Sequence, residues 1–288
     1  MSHVKPFFLF PAIHSFSMAR QRLGQHFLVD AGWREQIARA IRVSPHLPDS
    51  PKSRGEKDLC WIEVGAGHGE MTERFVRTGA PVYALELDAP LVQRLQRLAA
   101  KHPNLSIVAG DVLKTDLAAI AAGRRMRLYG NLPYYITSPI LHHFFTFADH
   151  IDEIYIVIQL EVAERLTAQP GASPYGYLSV ATQFFTRPDL ALHIPRDAFD
   201  PPPEVDSALV TLKLPGPGAK LGIAETDEFF DFVKACFAQK RKKLTNNLRG
   251  VVEPERLRAV LRECNLREDA RAEQLSVAEF AKIYRAIS

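Results

Sequence analysis

Leu59-Cys-Trp-Ile-Glu-Val64 runs straight into Gly65-Ala-Gly-His-Gly69, and the reading of this stretch decides the fold. A short apolar run closed by glycines reads as a buried strand, and the pattern from 70 to 78 behind it reads as a helix. Glycines at such a junction let the backbone approach a ligand closely, while the helix N-terminus favours negative charge. Further strands are expected at 82–87, 105–109, 127–129 and 154–158, with helical stretches between them, one at 91–100. Upstream, Trp33, Ile37, Ala40 and Ile41 fall at helical spacing within 30–42. Strands alternating with helices imply right-handed crossovers and a mainly parallel sheet, an α/β architecture.

From Leu190 the pattern changes. Strands at 190–194 and 208–214 follow one another without a helix between them, which predicts an antiparallel addition to the sheet. Pro215-Gly-Pro-Gly218 punctuates the chain as a linker, and 226–239, 253–264 and 276–287 read as helices. The expected organisation is one α/β domain over 18–214 and a small all-helical domain over 215–288. The stretch 43–58, rich in proline, serine and charge, reads as a surface loop with no assigned role. Near the start, Lys5 and Phe7-Phe-Leu-Phe10 resemble a secretion signal, but Pro6 and Pro11 bracket them and no small-residue cleavage site follows. Met18 is therefore expected to be the working start, or residues 1–17 a loose extension.

Composition excludes several classes. With 47% hydrophobic and 24% charged residues among 288, the chain is neither disordered nor fibrous. No apolar run approaches the roughly 18 residues that span a bilayer, so no membrane partner is expected. Cys60, Cys236 and Cys264 are odd in number, far apart and without metal spacing, which suits a reducing, cytoplasmic compartment. The net charge of +3 decides nothing about partners, but its distribution is informative. Between Phe232 and Val252 stand Lys234, Lys240, Arg241, Lys242, Lys243 and Arg249 with no acid among them. That run is either a polyanion-binding face or a solvated helix end.

The chemistry lies where strands end. A dinucleotide fingerprint asks for glycine at position 70, where this chain has Glu70, and a carboxylate at that helix mouth repels a pyrophosphate. It tolerates a cationic sulfonium joined to an amino acid. Glu86 ends the next strand, where an acid can accept both ribose hydroxyls. Asp111, after the third strand, can accept from an adenine amino group. Together they predict a pocket for S-adenosylmethionine rather than a nicotinamide cofactor.

Asn131-Leu-Pro-Tyr134 follows the fourth strand. The exocyclic amine of adenine is a poor nucleophile because its lone pair is delocalised into the ring. Accepting hydrogen bonds from both of its N–H groups disfavours the conjugated form. The side-chain oxygen of Asn131 and the carbonyl of Leu132 are suitable acceptors, and Pro133 restricts Leu132 to an extended geometry. Tyr134 offers a flat face to an extruded base. Absences narrow the choice further. No cysteine follows a proline, as pyrimidine C5 methylation requires, no nucleoside triphosphate loop is present, and the adjacent His142-His143 cannot ligate a metal from one helical face.

Four motifs then occur in order: Arg22-Leu-Gly-Gln-His-Phe-Leu28, Glu63-Val-Gly-Ala-Gly-His-Gly69, Asn131-Leu-Pro-Tyr-Tyr-Ile-Thr-Ser-Pro139 and Pro201-Pro-Pro-Glu-Val-Asp-Ser207. From about Arg20 to the C-terminus the chain resembles the ribosomal RNA small-subunit adenine dimethyltransferases. The resemblance implies a Rossmann-like S-adenosylmethionine-dependent methyltransferase sheet with a helical C-terminal domain. It implies dimethylation of N6 on two adjacent adenosines near the 3′ end of 16S rRNA, within the small ribosomal subunit. It also implies that His26, Leu28, Gly65, Gly67, Glu86, Asp111 and Asn131 contact the cofactor, although many relatives carry Asn where this chain has His26. Phe199 is the candidate for a second aromatic wall opposite Tyr134. The basic run, with Arg124, Arg125 and Arg127, becomes the expected RNA-contacting surface, and a monomer is expected. The rival readings are a large-subunit (23S) rRNA adenine methyltransferase of the antibiotic-resistance type and a non-catalytic ribosome-assembly factor.

Overall fold

The fold follows from how each strand meets water. The computed structural model describes residues 26–43, 58–239 and 241–288. Residues 1–17, Met18, Lys240 and nearly all of the 43–58 loop therefore lie outside the described residues. In chain order, β1 (Phe27–Leu28) and α1 (Ala31–Ala40) precede the glycine motif, and the Asp30 side chain caps α1 by accepting from the Trp33 N–H. Then come β2 (Leu59–Val64), α2 (Thr72–Val76), β3 (Val82–Glu86), α3 (Ala89–Ala99), β4 (Leu105–Ala109), α4 (Leu117–Ala121) and β5 (Arg125–Asn131). All six residues of β2 are buried, as a central parallel strand requires.

The chain continues through α5 (Thr137–Phe145), β6 (Ile151–Gln159), α6 (Leu160–Thr167), α7 (Tyr177–Phe185), β7 (Arg187–Ile194), β8 (Phe199–Asp200) and β9 (Ser207–Lys213). The last four helices are α8 (Thr226–Cys236), α9 (Leu244–Asn247), α10 (Pro254–Glu263) and α11 (Val277–Ile287). Among the described residues, no helix is long and apolar enough to cross a membrane.

Seven strands form one sheet in the order β4-β3-β2-β5-β6-β9-β7. The first five run parallel, and β9 joins β6 antiparallel with β7 beyond it, so the second strand of the late pair inserts inside the first. The order reverses around β2, which opens a crevice at the carboxyl ends of β2, β3 and β5. β1 and β8 form a separate antiparallel pair beside it, with Leu28 opposite Phe199. Alternation along β2 divides the sheet's core: Cys60, Ile62 and Val64 face one apolar cluster, and Trp61 the other.

Three differences from the sequence-based expectations have physical causes. The helix after the glycine motif begins only at Thr72, because Gly65, Gly67 and Gly69 all hold positive φ. β5 and β6 extend further toward their amino ends than their apolar runs, where Arg125 pairs with Asp152 and Arg127 with Glu153. α7 has no counterpart among the expected elements. Six of its nine residues are buried, so no polar face marks its period. A third apolar cluster joins Tyr175, Val180 and Phe184 to Phe229, Phe280 and Leu261, so the C-terminal helices share their core with residues ahead of Pro215. Pro215-Gly-Pro-Gly218 is packed rather than extended. A Cβ on Gly216 would lie 2.4 Å from the Thr186 nitrogen, and Gly218 presses on the Phe184 ring.

Gly130 shows how tightly the crevice is built. It sits opposite Val64 in the β2–β5 pairing, and a Cβ there would meet Leu132 Cδ2 at 2.6 Å and the Val64 carbonyl at 3.1 Å. Overpacking of this kind costs about 1–3 kcal/mol. Gly130→Ala is expected to lower the melting temperature by about 5 °C, read by calorimetry. It should also lower activity, since Leu132 must move. Unchanged melting would mean that Leu132 yields freely.

Candidate active site

β2 runs out into the glycine loop at the crevice. Gly65 and Gly67 adopt φ of +69° and +57°, and a Cβ on Gly67 would lie 3.2 Å from the Phe27 ring. The Gly65 and Ala66 N–H groups donate to the Leu85 carbonyl at 2.9 and 3.2 Å, folding the loop over the end of β3. There Glu86 is only 4% exposed, yet it lines the groove. Its Oε2 accepts from the Gly67 N–H at 2.9 Å, and its Oε1 accepts from Leu87 and Asp88 N–H at 2.8 and 3.0 Å. Three backbone donors thus fix the carboxylate in place before any ligand arrives.

Glu63, near the end of β2, is a second buried acid. Thr72 Oγ1 donates to it at 2.5 Å, and burial pushes its carboxyl up to about 8. At neutral pH it carries a proton, so it adds little negative charge beside Glu86 and Glu70. Asp111 stands just past the end of β4, the strand beside β3. Its Oδ1 caps the following turn through the Leu113 N–H at 3.0 Å, and it does not line the groove. Glu70 lies 3.7 Å from Arg34, which keeps an acid at the loop's helical side.

The fourth strand brings the acceptors. Asn131 Nδ2 donates to the His26 carbonyl at 2.8 Å, which uses the amide's donor end and leaves Oδ1 as the acceptor. The Leu132 N–H donates to the Val157 carbonyl at 3.0 Å, while the Leu132 carbonyl accepts no hydrogen bond among the described residues. The Pro133 carbonyl accepts from Ile136 N–H and Thr137 Oγ1, at 3.2 and 3.3 Å, and so locks the turn that carries Tyr134. The Tyr134 hydroxyl meets Ser207 Oγ at 2.9 Å. Burial pushes the pKa of this phenol up, so it stays neutral. His26, Phe27, Gly65, Gly67, Glu86, Asn131, Leu132, Pro133 and Tyr134 together line this one groove.

Several expected residues are elsewhere. Phe199 is 3% exposed in the core with Trp61 and Leu209, and it is not a second aromatic wall. Its pairing with Leu28 in the β1–β8 ladder turns it inward, and Leu28 likewise does not line the groove. The ring beside Tyr134 is His26, with centroids 5.5 Å apart and planes 21° apart. The His26 Nδ1–H donates to the Pro201 carbonyl at 2.6 Å. His26 therefore backs one face of Tyr134, which is not the opposing wall expected of Phe199, and its carbonyl orients Asn131.

Arg124, Arg125 and Arg127 lie where β5 begins, about 20 Å of strand from Asn131. Arg125 is engaged by Asp152 and by the Asp149 and Ile151 carbonyls, and Arg127 by Glu153 with its guanidinium 5.8 Å over Trp61. Arg125 and Arg127 tie β5 to β6 at the far end of the sheet, Arg124 donates to the Ala121 carbonyl, and none of the three lines the groove. Arg241, Lys242, Lys243 and Arg249 are exposed on the helical part. Arg241 and Lys242 line a cleft of about 800 Å³ that also reaches Arg271, Tyr177, Arg165 and Ser138. Ser138 lies in the first turn of α5, four residues after Tyr134, so the cleft adjoins the groove along the chain.

The donor set suits S-adenosylmethionine. A buried acid stands where ribose hydroxyls need acceptors, and the glycine cradle would be filled by a Cβ. Residues 16–288 match the family described as Ribosomal RNA adenine dimethylase. A Ribosomal RNA small subunit methyltransferase A from Xanthomonas campestris pv. campestris is 39% identical over 272 residues, 93% of this chain and 97% of the relative. The chain belongs to the ribosomal RNA adenine dimethylase family. The protein of the same description from Xanthomonas oryzae pv. oryzae matches to the same extent, 39% over 93% of this chain and 97% of its own.

Solved structures agree on the fold. A dimethyladenosine transferase from Plasmodium falciparum superposes with a TM-score of 0.73 at 22% identity, covering 90% of this chain and 96% of that one. The 23S rRNA methyltransferase ErmE superposes at 0.66 with 24% identity, over 91% and 99%. The architecture is the Rossmann-like methyltransferase sheet with a helical C-terminal part.

Proposed function

We propose that this chain uses S-adenosylmethionine to dimethylate N6 of two adjacent adenosines near the 3′ end of 16S rRNA. The substrate is the small ribosomal subunit in a late stage of its assembly, and the chain acts on it as a monomer in the cytoplasm. The observation that carries the reading is the pair of acceptors, Asn131 Oδ1 and the Leu132 carbonyl, beside Glu86 in one groove.

The cofactor, when bound, supplies a methyl group on a cationic sulfur for in-line transfer to the amine. Everything else falls to the chain. Glu86 holds ribose hydroxyls with a carboxylate already fixed by three backbone donors. Asn131 and Leu132 accept the two amine hydrogens and free the nitrogen lone pair from the ring. Tyr134, pinned by Ser207 and backed by His26, stacks on the extruded base at about 1–3 kcal/mol. Orientation and exclusion of water account for much of the rate. No general base is needed, because the N6-methylammonium product is itself acidic and gives its proton to water.

The test is incubation of labelled cofactor with under-methylated small subunits, large subunits or duplex DNA, with product nucleosides resolved by mass spectrometry. Dimethyladenosine from small subunits alone is expected. Label on large subunits transfers the reading to the resistance-type relatives, and tight small-subunit binding without label favours an assembly factor.

Arg241 and Lys242 in the cleft, with Lys243 exposed beside them, supply cationic side chains for RNA phosphates, which position the RNA without reading its sequence. Their triple replacement by alanine is expected to weaken small-subunit binding at least tenfold. The salt dependence of binding should become shallower by about one unit of slope for each phosphate left unneutralised. Cofactor affinity should be unchanged by calorimetry. An unaltered salt slope would exclude these side chains from the RNA interface.

A further inference from the structure

Five large apolar side chains stand in water among the described residues: Val29, Leu87, Tyr135, Val205 and Val251. Four of them lie within two residues of ones that line the groove or hold its lining. Val29 follows β1, Leu87 follows Glu86, Tyr135 follows Tyr134, and Val205 stands two residues before Ser207, which holds Tyr134. Exposed apolar side chains gathered round one opening mark a contact surface.

Tyr135 is the most exposed, at 65%. It makes no ring contact and no side-chain hydrogen bond among the described residues, whereas its neighbour Tyr134 makes both. Its backbone is nevertheless fixed, because Ile136 N–H and Thr137 Oγ1 both anchor the turn to the Pro133 carbonyl. The ring is free on a rigid mount.

Its position in the chain gives the ring a task. Residues 131–134 line the groove, and Ser138 lines the cleft with the basic wall. Tyr135 stands between them. An RNA strand with one adenine in the groove and its phosphates on Arg241 and Lys242 would pass this turn. Extruding the target base strips a stacking partner from the next base. An unpartnered ring on a fixed turn is the surface that replaces it, since any base presents a π-face to an aromatic side chain.

We propose that Tyr135 is the stacking platform for the nucleotide flanking the extruded adenosine, and thereby holds the RNA in register for transfer. The inference rests on the reading above that the groove takes an RNA adenine.

Tyr135→Ala and Tyr135→Phe, assayed on under-methylated small subunits, test it. The alanine variant is expected to raise KM for the subunits about tenfold, with kcat changed less than threefold and cofactor affinity unchanged. The phenylalanine variant should stay within twofold of the parent. Alanine kinetics within twofold of the parent, or a phenylalanine variant as impaired as alanine, would overturn the proposal. A second readout does not depend on turnover. In an RNA hairpin carrying 2-aminopurine beside the target adenine, the parent should quench the fluorescence on binding and Tyr135→Ala should not. Equal quenching by both overturns the proposal. If the parent itself leaves small subunits unlabelled, the functional reading falls and this inference with it. An active parent beside an indifferent alanine variant overturns the platform alone.

Discussion

Asn131→Ala is expected to slow methyl transfer by about 10²–10³-fold, the usual cost of deleting one preorganised hydrogen-bonding group at a reacting centre. Cofactor affinity should fall less than tenfold. The separation follows from geometry. In the proposed reaction the Oδ1 atom accepts from the base to be methylated, whereas Glu86 and the glycine loop hold their positions through bonds that do not involve Asn131. What is lost besides the acceptor is the Nδ2 donation to the His26 carbonyl, which loosens the ring behind Tyr134. Asn131→Asp sharpens the test. It keeps an acceptor but sets a carboxylate against that same carbonyl, so its rate should also fall. Calorimetry with the cofactor and methyl incorporation on small subunits measure the two effects separately. Comparable losses in both would mean that Asn131 serves the cofactor and not the amine.

Glu86→Ala carries the second large effect, on binding. Hydrogen bonds to a charged group contribute about 1.5–3 kcal/mol each, and with three of the carboxylate's roughly four acceptor sites already taken, losing one ribose hydroxyl should weaken cofactor affinity at least tenfold. The chain also loses an internal clamp, since the Gly67, Leu87 and Asp88 N–H groups all converge on this carboxylate. Unsatisfied donors of that kind cost about 1–3 kcal/mol each where water cannot reach them, so the melting temperature should fall as well. Glu86→Gln keeps the size and one acceptor oxygen, and should recover part of the stability but little of the affinity. Affinity within threefold of the parent in Glu86→Ala would refute the ribose assignment.

The sequence made the strand ends legible and the tertiary partners illegible. Leu59–Val64 followed by three spaced glycines could be read directly, because a buried strand and a positive-φ turn leave local marks. Glu86 and Asn131 could be singled out because each sits at the end of such a run, and both line the groove. Phe199 was misread because a single aromatic before prolines does not say which side of a two-residue strand it takes; pairing with Leu28 turned it inward. Arg125 and Arg127 were misread for a related reason. Their partners Asp152 and Glu153 stand on a strand more than twenty residues later, and only the β5–β6 pairing brings them together. His26 was marked for the cofactor, yet its part in the wall beside Tyr134 depends on Pro201, distant in sequence. α7 escaped notice because its burial on nearly every side erased the pattern by which helices are recognised.

The same helix binds the histories of the two ends of the chain together. Phe184 packs on Phe229 at 5.2 Å between ring centres, Gly216 lies against the backbone of 184–186, and Tyr175 donates its hydroxyl to the Leu275 carbonyl at 2.7 Å. A lineage cannot exchange the C-terminal helices for those of a cousin by recombining at the Pro-Gly-Pro-Gly segment, because the graft would arrive without the surface it was shaped to fit. Changes of volume among the last seventy residues therefore call for matching ones near 175–186 if the shared core is to stay filled.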